Sequence, residues 1–133
     1  MRRYMLDTNM VSHLLKEHPA VVRHVVAAPM AALCISAITE GELLFGLAKR
    51  PDAKRLHRAV SEFLRCVDVL PWDSSAAEHY GVVRAGMERH GMILAPLDLL
   101  IAAHALSIGA VLVTNDRAFS QLSDMQIEDW TDL

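Results

Sequence analysis

The amino-acid sequence predicts an α/β fold with a central parallel sheet flanked by helices. Short apolar runs alternate with longer stretches of helical periodicity, which is the element order of a parallel sheet with crossover helices. Several of these runs end directly before a polar or acidic residue, at the edge where such folds place their ligands. Because the 133 residues contain no repeat and no interdomain linker, we expect one domain that spans residues 1–133.

Strands are predicted at the short apolar runs. The first run ends at an aspartate, the second is a short buried strand, and the last is an edge strand. In chain order the predicted strands cover residues 3–6, 33–36, 67–70, 111–113 and 126–128.

Helices are predicted where apolar residues recur at helical spacing between the strands. Prolines stand at the first turns and glycines follow the last turns, the positions that these residues favour. Thr8 or Asn9 is expected to cap the first helix, and Asp73 or Ser74 the fifth. In chain order the predicted helices cover residues 10–16, 19–27, 39–48, 51–66, 74–90 and 96–108.

Composition excludes several classes of protein. Hydrophobic residues make up 53% of the chain, which excludes disorder and leaves apolar surface for a partner subunit. No apolar run reaches the roughly 18 residues that a membrane span needs, and the first strand begins too early for a signal peptide, so we expect a cytoplasmic protein. Cys34 and Cys66 adjoin apolar residues and are interpreted as buried thiols. Four helical histidines are expected at the surface or at an interface: His57, His79, His90 and His104.

Four acidic residues mark the ends of strands or the starts of helices. Asp7 closes the first strand, Glu42 lies early in the third helix, Asp98 lies in the first turn of the last helix, and Asp116 follows the fourth strand. We expect these carboxylates to converge at the carboxyl edge of the sheet. Clustered carboxylates repel unless they share protons or hold a cation, and hard oxygen ligands suit Mg²⁺ or Mn²⁺. The pattern predicts metal-dependent phosphodiester chemistry.

Each acid also has an interpretation that involves no site. Asp7 could be a helix cap, although Asn9 is available to cap instead. Asp98 could interact only with the helix dipole, but its helix is too apolar to face solvent. Asp116 lies in an ordinary Asn-Asp turn, where Arg117 could neutralise it. For Asp116 alone the two interpretations are balanced, and the other three acids favour the site.

Helical geometry separates Glu42 from Glu40. Ile38 and Glu42 share one helix face, whereas Glu40 lies roughly 200° away from Ile38. Apolar neighbours place Glu42 beside the buried side, so Glu40 is interpreted as a partner of the helix dipole. Gly41 would let a ligand or backbone approach closely.

With these acids in place, the sequence resembles the PIN-domain ribonucleases, specifically the VapC-type toxins of bacterial type II toxin–antitoxin pairs. The resemblance covers nearly the full length, and its motifs occur in the expected order. Four segments carry it: Met5-Leu6-Asp7-Thr8-Asn9, Ile35-Ser36-Ala37-Ile38-Thr39 with Glu42-Leu43, Pro96-Leu97-Asp98-Leu99-Leu100-Ile101-Ala102, and Val113-Thr114-Asn115-Asp116 with Phe119.

The resemblance implies a PIN-like domain with Mg²⁺- or Mn²⁺-dependent endoribonuclease activity. It also implies a homodimer, a VapB-like antitoxin whose C-terminal segment covers the site, and an RNA substrate. A tRNA, in particular the anticodon region of the initiator tRNA, is the first candidate substrate, and translation is the process inhibited. The implied metal ligands are the four acids Asp7, Glu42, Asp98 and Asp116, and the implied supporting residues are Asn9, Thr114 and Asn115.

A basic run follows the helix that carries Glu42. It is either a solvated helix face or a rim that contacts RNA phosphates. The run consists of Lys49, Arg50, Lys54, Arg55 and Arg58.

Other functions fit the sequence less well. A haloacid-dehalogenase-type phosphotransferase needs a second acid two residues after the first, where this chain has Asn9. A receiver-type phospho-switch needs an aspartate at the end of a middle strand, near residues 50–60, and this sequence has no such site. The remaining alternative is a catalytically weak, metal-binding module of PIN fold that binds RNA or a partner, and the presence of all four acids argues against it.

Overall fold

The computed structural model describes residues 2–132, and within them five strands form one parallel sheet accompanied by six α-helices. This confirms the predicted α/β class. The strands are β1 Tyr4–Leu6, β2 Leu33–Ser36, β3 Asp68–Leu70, β4 Val111–Val113 and β5 Ile127–Glu128. The helices are α1 Thr8–Leu15, α2 Pro19–Ala27, α3 Ala37–Ala48, α4 Lys54–Cys66, α5 Ser74–Arg89 and α6 Pro96–Ile108.

The strand order β3-β2-β1-β4-β5 makes β1 the central strand. Tyr4 is in register with Leu33 of β2 on one side and with Val111 of β4 on the other. The chain moves to one side of β1 through β2 and β3 and to the other side through β4 and β5. The carboxyl end of β1 is therefore the point where the direction of winding reverses, and a crevice for a ligand is expected there.

Alternate residues of the central strands pack into two hydrophobic cores, one on each face of the sheet. Leu6, Ile35 and Val113 pack with α1 to α4 on one face. Met5 and Cys34, one residue earlier in their strands, pack with α6 on the other face. Burial of both faces is typical of a parallel sheet and explains why the strands are short apolar runs without polar alternation.

Several element boundaries follow the prediction, and others differ for local reasons. Strands 33–36 and 111–113 and helices 19–27 and 96–108 have the predicted bounds. The first helix begins at Thr8, so neither Thr8 nor Asn9 caps it. The N-cap is Asp7, whose extended backbone and carboxylate lie directly before the first turn.

The fourth helix begins at Lys54 and not at Pro51, which was predicted to start it. A backbone hydrogen bond of 3.1 Å from Ala53 N–H to Arg50 carbonyl closes a turn around Pro51 and Asp52. Two 3₁₀ turns, which the sequence did not predict, follow α2 and β4 and cover Met30–Ala32 and Arg117–Gln121.

Two predictions about side-chain burial are wrong. Cys66 is exposed, because it lies about 120° around α4 from the buried Val60. His104 was expected at the surface or an interface, yet it is buried, because α6 is enclosed between the sheet and α5. Cys34 is buried as predicted. No helix within residues 2–132 has the length and apolar character that crossing a membrane requires.

Gly109, which ends α6, has a φ of 66° and supplies a left-handed conformation. We expect Gly109→Ala to lower the free energy of unfolding by about 1 kcal/mol, because a Cβ is disfavoured in this region. Gly81 provides the matched control, since it lies inside α5 and a Cβ there would meet no atom within 4 Å. Gly81→Ala should raise the free energy of unfolding by about 0.5–1 kcal/mol. Urea unfolding of both variants checks the contrast, and equal effects would contradict it.

Candidate active site

The four predicted site acids lie on elements that meet at the carboxyl edge of the sheet. Asp7 directly follows β1, and Asp116 lies three residues after β4. Glu42 lies in the second turn of α3, which begins directly after β2, and Asp98 lies in the first turn of α6. Parallel strands place these chain segments on one side of the molecule, as expected from the sequence.

Asp7 is held in place by hydrogen bonds from two elements. Its backbone N–H donates to the Val113 carbonyl at 3.1 Å, which continues the pairing of β1 with β4. Its Oδ1 accepts a hydrogen bond of 2.8 Å from the Met10 N–H and caps α1. From the sequence, a helix cap and a site residue are alternative roles for Asp7. The cap occupies Oδ1 alone, so the two roles are compatible.

Electrostatic coupling shows that the acids share one region. Burial raises the pKa of Asp7 to about 6, against hydrogen bonding from Thr114 and Met10, and the negative charges of Asp98 and Asp116 raise it further. Burial also raises the pKa of Asp98, and the charges of Asp116 and Glu42 add to that increase. Asp98 is therefore coupled electrostatically to each of the other three acids, and Asp7 is coupled to Asp98 and Asp116.

This donor set has the chemistry that a hard divalent cation requires. It consists of carboxylate oxygens, the ligands that such a cation prefers. The charges of neighbouring acids raise the pKa of Asp7 and of Asp98, and a bound cation would relieve this repulsion. No three carboxylate, imidazole or thiolate side chains among residues 2–132 are grouped closely enough to hold a metal ion by themselves.

Thr8 connects the acid-bearing helices and was considered in the sequence only as a possible cap. Its hydroxyl donates to Glu42 Oε1 at 2.6 Å and lies 3.3 Å from the Thr39 hydroxyl. Thr8 therefore fixes the Glu42 carboxylate against the start of α1. The sequence offered one indication that Thr8 belongs to the site, which is its position directly after Asp7. Glu42, and not Glu40, is among the charges that raise the pKa of Asp98, in agreement with the predicted helical phase.

Asp116 caps the 3₁₀ turn that follows β4. Its Oδ1 accepts from Ala118 N–H at 2.9 Å, and its backbone N–H donates to the Thr114 hydroxyl at 3.0 Å. Arg117 is exposed, and no ion pair joins it to Asp116 within the described part of the chain. Thr114 thus contacts Asp116, and its hydrogen bonding lowers the pKa of Asp7 against the effect of burial. Asn115 is directed elsewhere, with its Nδ2 3.4 Å from His13 Nε2.

An open cavity of about 310 Å³ between α1, α3 and α4 adjoins Glu42. Asn9 lines it beside Thr8, which places this predicted supporting residue at the side of the site. Three basic residues also line it: Lys16, Lys49 and Arg50. Lys16 was not singled out in the sequence, because it is remote from the basic run and only the packing of α1 against α3 brings it close.

The basic run is divided by the structure. Lys49 and Arg50 border the cavity next to Glu42. Lys54, Arg55 and Arg58 are exposed on α4 and do not line that cavity. Two residues of the predicted basic rim therefore lie beside Glu42, and the other three continue the rim along α4.

The fold and site define a class of small α/β domain with acidic side chains gathered at the carboxyl end of the central strand. A protein-family model described as "PIN domain" matches residues 4–125. The chain belongs to the PIN domain family and, within it, to the VapC-type proteins.

Curated relatives and a solved structure match almost the whole chain. A Shigella flexneri protein named "tRNA(fMet)-specific endonuclease VapC" is 37% identical over 132 residues, which cover 98% of this chain and 100% of the relative. The Salmonella typhimurium protein of the same name is 38% identical over 131 residues, covering 98% and 99%. The structure of DNA-bound VapBC from Salmonella typhimurium aligns with a TM-score of 0.90 and 38% identity, covering 98% of this chain and 99% of that chain.

The raised pKa of Asp7 predicts how the stability of the metal-free protein depends on pH. The folded protein binds the proton up to about pH 6, whereas an unfolded aspartate releases it near 3.8. The free energy of unfolding should therefore fall as pH rises between these values, by up to about 3 kcal/mol, and then level off.

Asp7→Asn should remove this dependence and still cap α1, because its amide oxygen can accept from Met10 N–H. We expect the variant to be more stable than the wild type at pH 7 and to lose that advantage near pH 4. Urea unfolding in EDTA from pH 4 to 8 measures the difference, with the exposed Asp124→Asn as control. A difference that is constant with pH would contradict the prediction.

Proposed function

We propose that this protein is an endoribonuclease toxin of a VapBC-type toxin–antitoxin pair. The observation that carries the proposal is the meeting of four acids at the end of β1 in a chain that aligns with VapC ribonucleases over nearly its full length. A phosphodiester is a suitable substrate for such a site, because its anionic oxygens complete a metal coordination shell left open by carboxylates.

The proposal includes a Mg²⁺ or Mn²⁺ ion held by Asp7 and Asp98, with Asp116 and Glu42 completing the ligand set. When bound, the ion would supply a Lewis acid that polarises the phosphodiester and stabilises the leaving oxygen. The protein's own contribution is to orient the ligands. Strand pairing fixes the backbone of Asp7, the Thr8 hydroxyl fixes the Glu42 carboxylate, and the first turn of α6 presents Asp98.

A tRNA, with the anticodon region of the initiator tRNA as first choice, is the substrate that we propose. Two of the relatives carry tRNA(fMet)-specific endonuclease in their names. A small acidic site with a short basic rim suits a hairpin whose loop bases are splayed and whose stem phosphates meet Lys and Arg. Lys49 and Arg50 beside the cavity would contact phosphates, and Arg55 and Arg58 would extend that contact along α4. Cleavage there would inhibit translation.

A VapB-like antitoxin is the proposed partner, in a cytoplasmic complex that contains a dimer of this chain. VapBC complexes are among the solved structures that this chain resembles. Exposed apolar side chains supply surface for both contacts, including Leu44 and Phe45 on α3, and Val82 on α5. Coverage by a partner would also control an enzyme whose unregulated activity harms its own cell.

The proposal predicts that antitoxin-free protein cleaves RNA with Mg²⁺ or Mn²⁺ and stops when EDTA is added. Asp98→Asn should reduce the rate by more than about a hundredfold, because it removes a ligand. Asp124→Asn, an exposed acid away from the site, should leave the rate unchanged. Sequencing the 5′ ends produced from total RNA identifies the substrate.

Three outcomes would contradict parts of this proposal. Cleavage that survives EDTA would remove the metal ion from it. Breaks scattered across mRNA, with tRNAs intact, would overturn the substrate. A folded, metal-binding protein that cuts no RNA would favour the catalytically weak module.

A second prediction follows from the different surroundings of the two glutamates in α3. Glu42→Gln should lower the single-turnover rate constant of cleavage by at least about tenfold, because it removes a charge at the site and weakens the bond from Thr8. Glu40→Gln is the matched control on the same helix and should leave the rate of cleavage nearly unchanged. Single-turnover cleavage at saturating metal measures both. The reverse order of effects would show that α3 presents Glu40 to the substrate.

A further inference from the structure

Two polar side chains meet in the interior on the side of the sheet that α6 covers. Ser36 is 0% exposed and His104 is 1% exposed. The Ser36 Oγ lies 2.7 Å from His104 Nδ1, across 68 residues of sequence. A buried histidine and a buried serine are both costly unless they are hydrogen-bonded, so this contact stabilises the arrangement of the elements that carry them.

The hydroxyl of Ser36 forms two hydrogen bonds. Ser36 Oγ already accepts from the Ile38 N–H at 3.1 Å, as the N-cap of α3. The hydroxyl has one hydrogen and a second lone pair, so it can donate to His104 Nδ1 or accept from it, and the His104 ring can be neutral in both cases. Burial lowers the pKa of His104, which favours this neutral form, although the charge of Asp73 acts in the opposite direction.

This contact joins the two helices that carry site acids. Ser36 is the last residue of β2 and caps α3, whose second turn presents Glu42. His104 lies in α6, fewer than two turns after Asp98. One turn of α3 beyond Ser36, the buried Thr39 contacts the hydroxyl of Thr8, which in turn holds Glu42. The Ser36–His104 bond therefore links the start of α3, which carries Glu42, to α6, which carries Asp98, and the charges of these two acids are coupled.

We propose that His104 is a positioning residue of the active site, which acts through Ser36 to fix α6 relative to α3 and thereby sets the spacing of Asp98 and Glu42. This inference rests on the proposed ribonuclease function. Neither side chain touches the acids, so the expected effect is on the geometry of the carboxylates and not on contact with RNA. Groups that orient metal ligands in this way commonly change affinity or activity by about 10- to 100-fold when they are removed.

The test compares two substitutions at position 104. Asn places an amide group close to the position of Nδ1 and can hydrogen-bond to Ser36 in either direction, whereas Leu has a similar branching point and no hydrogen-bonding group. His104→Leu should lower kcat for RNA cleavage by about tenfold or more and leave KM within about twofold. His104→Asn should recover most of the lost kcat. Ser36→Ala should resemble His104→Leu, and the two changes together should cost little more than either alone.

Measurements beside turnover separate positioning from general stability. Thermal unfolding by circular dichroism shows that each variant is folded at the assay temperature, and His79→Leu on the outside of α5 serves as the surface control. Calorimetric titration with Mn²⁺, without RNA, should show about tenfold weaker binding to His104→Leu than to the wild type.

The inference and the proposed function fail in different ways. Wild-type protein that cleaves RNA, together with a folded His104→Leu variant of equal kcat, would overturn the inference alone. The same holds if Asn and Leu impair kcat equally. A wild-type protein that does not cleave RNA would overturn the proposed function, and the Mn²⁺ titrations would then decide the inference, with equal affinities counting against it.

Discussion

Repulsion between carboxylates that the parallel sheet brings to one edge is the constraint on which the rest of this structure depends. The sheet requires β1, β2 and β4 to end on the same side, and acids follow these ends directly or through the helix that comes next. Burial and like charge then raise the pKa of Asp7 and Asp98. The folded chain bears this electrostatic cost at one location, which is the behaviour expected of a functional site.

Asp7 shows how the fold compensates for part of that cost. Its backbone continues the pairing of the two central strands, and its Oδ1 satisfies an N–H at the start of α1. The bond from the Met10 N–H, together with hydrogen bonding from Thr114, stabilises the ionised carboxylate and resists the increase in pKa that burial causes. A helix cap is worth about 1 kcal/mol, so the structural role offsets some of the destabilisation without cancelling it.

The sequence predicted the sheet, most of its helices and the region where the acids meet, because those features follow from periodicity and from the geometry of parallel strands. It failed where a property depends on neighbours remote in sequence. Cys66 is beside apolar residues in the sequence, but the phase of α4 turns it to solvent. His104 is one polar residue in an apolar helix, and only the packing of α5 over α6 shows that it is buried against Ser36.

At the site, too, the sequence predicted local features and missed contacts between residues that are remote in sequence. The phase of α3 distinguished Glu42 from Glu40 without a structure, since that contrast is local. The bond from Thr8 to Glu42 spans 34 residues, and the approach of Lys16 to the same cavity depends on how α1 packs against α3. Neither contact has a periodic signal. The choice of Asn9 over Asp7 as the cap was wrong for a related reason, because the exact residue at which a strand gives way to a helix is poorly specified by local pattern.

The groups that orient the site acids are neutral hydrogen-bond donors, and this affects which ligand the site can bind. Hydroxyl and backbone N–H donors contact the carboxylates of Asp7, Glu42 and Asp116. The ion pairs found within residues 2–132 lie elsewhere, at Arg3–Asp68, Arg65–Glu62 and Arg84–Glu88. A lysine or arginine in the cluster would have neutralised the charge and satisfied the repulsion internally. Neutral donors orient the carboxylates and leave their net negative charge in place, so the site retains its attraction for an external cation.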